Sequence, residues 1–169
     1  MRFSAKLFII FLVAFTFKVS AQEWSWLNPK PQGNTLTDIT NLNGTLFTVG
    51  NSGTFIISTD EGVSWETRSV ETEANINKIV FSEQNGYLCT SSGEIFKSIN
   101  SGVNWSKLTF PNNQINIYSC AFANPQLGYA VGEDLTNSLG LIYKTTDGGN
   151  TWSKDRKSTR LNSSHRIRS

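Results

Sequence analysis

The residues best suited to chemistry in this 169-residue chain fall into three compact clusters that pair a hydroxyl with a side-chain carbonyl oxygen two positions on. They are Ser58 with Asp60 in "GTFIISTDEGVSWE", Ser98 with Asn100 in "GEIFKSINSGVNWS", and Thr145 with Asp147 in "GLIYKTTDGGNTWS". A hydroxyl beside a carboxylate is the raw material of nucleophilic or acid–base chemistry. Recurrence argues for another role, because a catalytic constellation is assembled once whereas a structural device repeats with its structural unit. Each cluster has a Gly seven residues before the Asp or Asn, a Gly two residues after it (Gly62, Gly102, Gly149), and a Trp five residues after it (Trp65, Trp105, Trp152). Asn100 favours scaffold over catalysis. An amide makes the same turn hydrogen bonds as a carboxylate but cannot act as general acid or nucleophile.

The Trp spacings of 40 and 47 residues match the period of a four-stranded propeller blade. Each repeat contains four short runs rich in β-branched and aromatic residues, separated by Gly, Asn, Ser or Pro, which reads as an antiparallel meander. Runs such as "TFIIS" and "KIVF" are nearly continuous in apolar residues, so both faces of each sheet should be covered. The sequence therefore predicts an all-β, partial β-propeller with repeats over about 35–72, 73–112 and 113–154. The segment around Trp24 and Trp26 aligns with the fourth run of a repeat and is expected to be an N-terminal closing strand. Its partners would then lie beyond Lys154, in missing C-terminal blades of the same chain, and the fragment should form an open arc.

The two ends read differently from the repeats. Arg2 and Lys6 precede the apolar run Leu7–Phe17, with small residues at Ser20 and Ala21, the pattern of a secretory signal peptide over 1–21. This run is too short to remain as a transmembrane anchor, so the mature chain is expected to be exported. From Asp155, "DRKSTRLNSSH" matches the translation of a common sequencing-library adapter, and 155–169 is read as a non-native tail. Between Gln22 and Lys154, seven Lys and Arg face twelve Asp and Glu, and no basic stripe points to nucleic acid. The single His, His165, lies in the tail, so neither a metal site nor a cofactor is expected. Cys89 and Cys120 sit mid-strand in different repeats and read as buried small hydrophobes rather than a disulfide.

The pattern Ser/Thr-x-Asp-x-Gly-x-x-Trp resembles the Asp-box, or bacterial neuraminidase repeat, of sialidases, sortilin-type receptors and the photosystem II assembly-factor family of propellers. The resemblance implies that Ser58, Asp60, Gly62, Trp65, Ser98, Asn100, Gly102, Trp105, Thr145, Asp147, Gly149 and Trp152 are structural, on the periphery and away from the ligand face. It also implies a secreted or cell-surface, non-catalytic module that binds protein or glycan, often followed by a sorting domain for type IX secretion. A periplasmic assembly factor for a membrane complex and a sialidase-like glycoside hydrolase are the alternatives. Sialidases hold the substrate carboxylate with three arginines, whereas Gln22–Lys154 contains only Arg68, and Lys30 stands ahead of the first box. Asp38, Glu83, Glu133 and Asp134 are the carboxylates another hydrolase would draw on. The stretch "GEDLTNSLG", Gly132–Gly140, reads as a long loop where local recognition would collect, with an ordinary variable loop as the alternative.

Overall fold

The computed structural model describes residues 33–108, 110–111 and 114–155. The expected signal segment, the strand around Trp24 and Trp26, and the tail after Asp155 lie outside the described residues. The rest folds into three four-stranded antiparallel sheets, each in simple chain order. Blade 1 contains β1 (Leu36–Leu42), β2 (Thr45–Gly50), β3 (Phe55–Ser58) and β4 (Glu66–Arg68). Blade 2 contains β5 (Ile76–Ser82), β6 (Asn85–Thr90), β7 (Ile95–Ser98) and β8 (Ser106–Leu108). Blade 3 contains β9 (Ile115–Phe122), β10 (Gly128–Asp134), β11 (Leu139–Thr145) and β12 (Ser153–Lys154). The first strands of successive blades lie side by side, β1 against β5 and β5 against β9, which makes them the inner edge of an unclosed arc.

Two apolar clusters form the blade-to-blade interfaces. Between blades 1 and 2, Phe47, Val49 and Phe55 meet Ile76, Ile79, Leu88 and Phe96, with Val70 of the connecting segment enclosed. Between blades 2 and 3, Tyr87, Cys89 and Ile95 meet Ile115, Ile117, Cys120, Ala130, Leu141 and Tyr143. The middle blade is covered on both faces, the physical reason that its strands carry consecutive buried residues such as Gly86–Thr90.

Polar groups stitch the inner edge. Each first strand carries a bulge that skips one residue in the ladder: Thr37 in β1, Asn77 in β5 and Tyr118 in β9. A residue freed from the ladder reaches the next blade. Thr37 Oγ1 donates to the Ile76 carbonyl at 2.5 Å, and Asn77 Nδ2 donates to the equivalent Ile117 carbonyl at 2.8 Å. Asp38 accepts from the Ile79 amide at 2.9 Å and pairs with Lys78 at 3.1 Å across the same interface. The link from blade 1 to blade 2 is tied at both sides: Gly53 donates to the Ala74 carbonyl, and Ser91 to the Asn75 carbonyl, each at 2.9 Å.

One expectation is corrected. Gly132–Gly140 is not a long loop, because β10 continues to Asp134 and β11 begins at Leu139, with Asp134 opposite Leu139 in the ladder. Asp134 closes the tip by accepting from the Thr136 amide at 2.9 Å and from Asn137. An Asx-type bond at the strand end propagates pairing where composition alone suggested a loop.

The box-turn glycines make the closest inter-blade approaches. A Cβ on Gly102 (φ 83°) would sit 2.8 Å from Phe47 Cε1, and a Cβ on Gly149 (φ 81°) would sit 2.7 Å from Tyr87 Cε1. Gly44 has φ 87° but open space around it. Gly44→Ala should therefore cost only the left-handed backbone penalty, about 1 kcal/mol. Gly102→Ala and Gly149→Ala should each cost at least about 1 kcal/mol more, since a core ring must move; urea denaturation of the three variants checks the order.

Candidate functional site

The three hydroxyl–carbonyl clusters occupy the turns joining the third and fourth strands of each blade, and all three have the same hydrogen-bond plan. In blade 1, Ser58 Oγ donates to Asp60 Oδ1 at 2.8 Å and accepts from the Gly62 amide at 2.8 Å. Asp60 Oδ1 also accepts from the Ser64 amide at 2.9 Å, and Asp60 Oδ2 accepts from Ser64 Oγ at 2.5 Å. In blade 3, Thr145 and Asp147 repeat these contacts with Gly149 and Thr151 at 2.6–2.9 Å. In blade 2, Ser98 Oγ bonds Asn100 Oδ1 and the Gly102 amide, and Asn100 Oδ1 accepts from the Asn104 amide, all at 2.9 Å.

The residue four positions after the Asp or Asn changes with it, a signal the sequence reading missed. Ser64 and Thr151 supply a hydroxyl to the second oxygen of an aspartate. Asn100 has an N–H donor in that place, and Asn104 replaces the hydroxyl residue. The plan leaves no role for proton transfer, because the buried hydroxyls of Ser58, Ser98 and Thr145 are spent on the turn. Hydrogen bonds from Ser64 hold the Asp60 carboxyl down to about 2, and those from Thr151 do the same for Asp147. A general acid needs the opposite shift.

The four carboxylates considered for hydrolysis are likewise scattered. Asp38 lies in the inter-blade pair with Lys78, and Glu83 occupies a left-handed turn position at φ 55°. Glu133 accepts from Tyr118 Oη at 2.5 Å, and Asp134 closes the hairpin tip, where the Thr136 amide lowers its pKa. Arg68 is exposed and paired with Glu66 at 2.9 Å. Among the described residues, no three His, Cys, Asp or Glu side chains cluster as metal ligands, and no helix is long and apolar enough to cross a membrane.

The three box tryptophans are not equivalent. Trp152 is 5% exposed, donates Nε1 to the Gly149 carbonyl at 3.0 Å, and packs on Phe110 and Phe122. Trp105 packs on Phe55 and Phe81 but is only half-buried, and its indole nitrogen has no hydrogen-bond partner among the described residues. The difference follows from the connecting segments: Phe110 covers Trp152, whereas the matching place before blade 2 holds the smaller Val70. Trp65 is also half-buried.

Blade 2 grips the turn of blade 3 through a clasp invisible in the motif itself. Tyr87 Oη donates to the Gly148 carbonyl at 2.8 Å, and Lys97 Nζ donates to the same carbonyl at 2.7 Å and to Asn150 Oδ1 at 2.9 Å. Burial raises the Tyr87 pKa to about 12 and lowers that of Lys97. Tyr87 and Lys97 are ladder partners, and so are Tyr129 and Lys144 in blade 3. No described turn is seated on that second pair. Tyr129 and Val131 lie exposed on one face of β10.

The box turns and the first hairpin of each blade lie at one end of the sheets, and the β2–β3, β6–β7 and β10–β11 connections lie at the other. Val63, Ile99 and Val103 are exposed at the box-turn end, and the second end carries further features open to a ligand. Leu135 and Leu139 are exposed at the tip of the β10–β11 hairpin, and a groove of about 440 Å³ runs past Asn34, Gly53, Arg68 and Thr72.

Repeating four-stranded antiparallel blades around a shared inner edge define a β-propeller, of which the described residues form three blades in an unclosed arc. Its likeness runs to the photosystem II assembly proteins named Ycf48. The chain is 27% identical over 140 residues to the photosystem II assembly lipoprotein Ycf48 of Synechococcus sp. (strain CC9902), and 30% identical over 132 residues to photosystem II assembly protein Ycf48 of Synechococcus sp. (strain JA-2-3B'a(2-13)). These matches cover 79% and 72% of this chain but only 40% and 37% of the relatives, so the chain spans well under half their length. No family model matches the chain.

Solved structures agree on the fold. YCF48 bound to D1 peptide matches with a TM-score of 0.62 at 20% identity, covering 73% of this chain and 40% of that one. YCF48 from Cyanidioschyzon merolae matches at 0.61 and 24%, covering 75% and 38%. A GH74 xyloglucanase from Xanthomonas campestris matches at 0.55 and 17%, covering 66% and 18%, a likeness of fold alone. Both curated relatives are named as assembly proteins, not as enzymes.

Two measurements test the structural reading of the clusters. Trp152→Ala should lose about 3–5 kcal/mol of stability, and Trp65→Ala clearly less, in matched chemical denaturation curves. The Asp60 and Asp147 carboxyls, depressed in the folded state, stabilise it fully above the usual carboxylate range and lose that contribution as pH falls through about 2. Carboxyl carbon shifts should titrate near 2, and the drop in Tm between pH 4 and 2 should shrink in Asp60→Asn/Asp147→Asn, with Glu94 and Asp134 sustaining part of it.

Proposed function

We propose that this chain is part of an exported, non-catalytic β-propeller that binds a protein partner, in the manner of an assembly factor for a membrane complex. The observation carrying this reading is its 27–30% identity, over 132–140 residues, to two proteins named for photosystem II assembly. The structure of YCF48 with a D1 peptide supports a polypeptide as the kind of ligand such a propeller takes. Export rests on the charged and apolar pattern of Arg2, Lys6 and Leu7–Phe17.

The surface best suited to a polypeptide is the end opposite the box turns. Leu135 and Leu139 offer apolar anchors there, while the groove beside Arg68 presents hydroxyls and backbone groups to an extended chain. Glycan binding and glycoside hydrolysis are the competing readings. Arrays of synthetic peptides covering the exported segments of the host's membrane proteins should show binding that Leu135→Asp/Leu139→Asp reduces at least about tenfold without lowering Tm. Binding to a glycan array with no peptide binding, or release of sugar from sialyllactose or xyloglucan, would overturn the reading.

A further inference from the structure

Cys89 in β6 and Cys120 in β9 come from different blades, are both buried and free in the structure as the sequence reading expected, and belong to the same inter-blade cluster. Strands β6 and β9 pack against each other across this interface. The matching positions one interface earlier are Val49 and Ile79. Ladder pairing fixes this equivalence, since Val49 faces Phe55 as Cys89 faces Ile95, and Ile79 faces Leu88 as Cys120 faces Ala130. Val49 and Ile79 are also in one buried cluster. Packing at this place is therefore satisfied by two aliphatic side chains, and nothing about the blade interface requires sulfur.

We propose that Cys89 and Cys120 form a redox-dependent disulfide that locks blade 2 to blade 3. In the reaction, the thiolate of one cysteine attacks a small-molecule disulfide such as oxidised glutathione and releases one glutathione thiolate. The second cysteine, deprotonated, then attacks the mixed disulfide and releases the other. The protein pair loses two protons and two electrons, and the oxidant becomes two thiols. The neighbouring Cys120 and burial push the Cys89 thiol up, so the closed interface reacts slowly. The bond accordingly forms while the blades are docking, and an oxidising compartment is where it would persist. The link to export is a consequence of the proposed function, but the test supplies its own oxidant and stands apart from it.

The full chain is refolded in a glutathione redox buffer, quenched in acid, denatured, treated with a maleimide and weighed intact. The expected product is a monomer lighter by two hydrogens that takes up no maleimide, with a Tm about 10 °C above that of the reduced chain. Cys89→Val/Cys120→Ile, which copies the Val49 and Ile79 interface, should fold like the reduced chain and show no redox dependence of Tm. Two thiols that remain alkylatable, a disulfide found only between chains, or a cross-linked monomer that melts below the reduced one would each overturn the proposal.

Discussion

Cohesion of this arc depends on a box turn pressed against an aromatic ring of the preceding blade. The turn must approach so closely that no Cβ fits, at Gly102 over Phe47 and at Gly149 over Tyr87. Such a turn has positive φ at two successive residues, Ser101–Gly102 and Gly148–Gly149, a conformation that costs free energy unless it is held. Side-chain oxygens hold it. The Ser or Thr hydroxyl and the Asp or Asn oxygen absorb the amides of the turn, leaving the glycine face apolar and free to pack.

This division of labour leaves the carboxylates of these clusters poorly suited to proton transfer. A carboxylate surrounded by donors is stabilised in its charged form and becomes a poor proton carrier. At the opposite end of the blades hairpins end, and side chains there are not needed for the ladder or the turn. The same separation occurs wherever a rigid repeated scaffold presents variable connections. The similarity to assembly proteins fits this layout, since recognition of a polypeptide needs an accessible rim and no buried acid.

The fold class and the meander were legible because they depend on local spacing. A Trp-to-Trp period near forty residues, four apolar runs and glycines at constant offsets require no knowledge of which blade touches which. The Asn100 substitution likewise carried its meaning in one residue. The extension of β10 and β11 was not legible, because Asp134 and Leu139 pair through backbone groups that the loop-like composition of Leu135–Ser138 conceals. Nor was the inequality of the tryptophans, which turns on Val70 or Phe110 arriving from a connecting segment.

The sequence by itself determined the repeat and the sheet type, because turn chemistry acts within about seven residues. Only the tertiary structure decided the contacts between blades: the stitch from Thr37 to Ile76, the clasp of Tyr87 and Lys97 on the next turn, and the gathering of Cys89 and Cys120 into one buried cluster. These pairs lie roughly thirty to sixty residues apart, so the register of one sheet against another, not any local preference, brings them together.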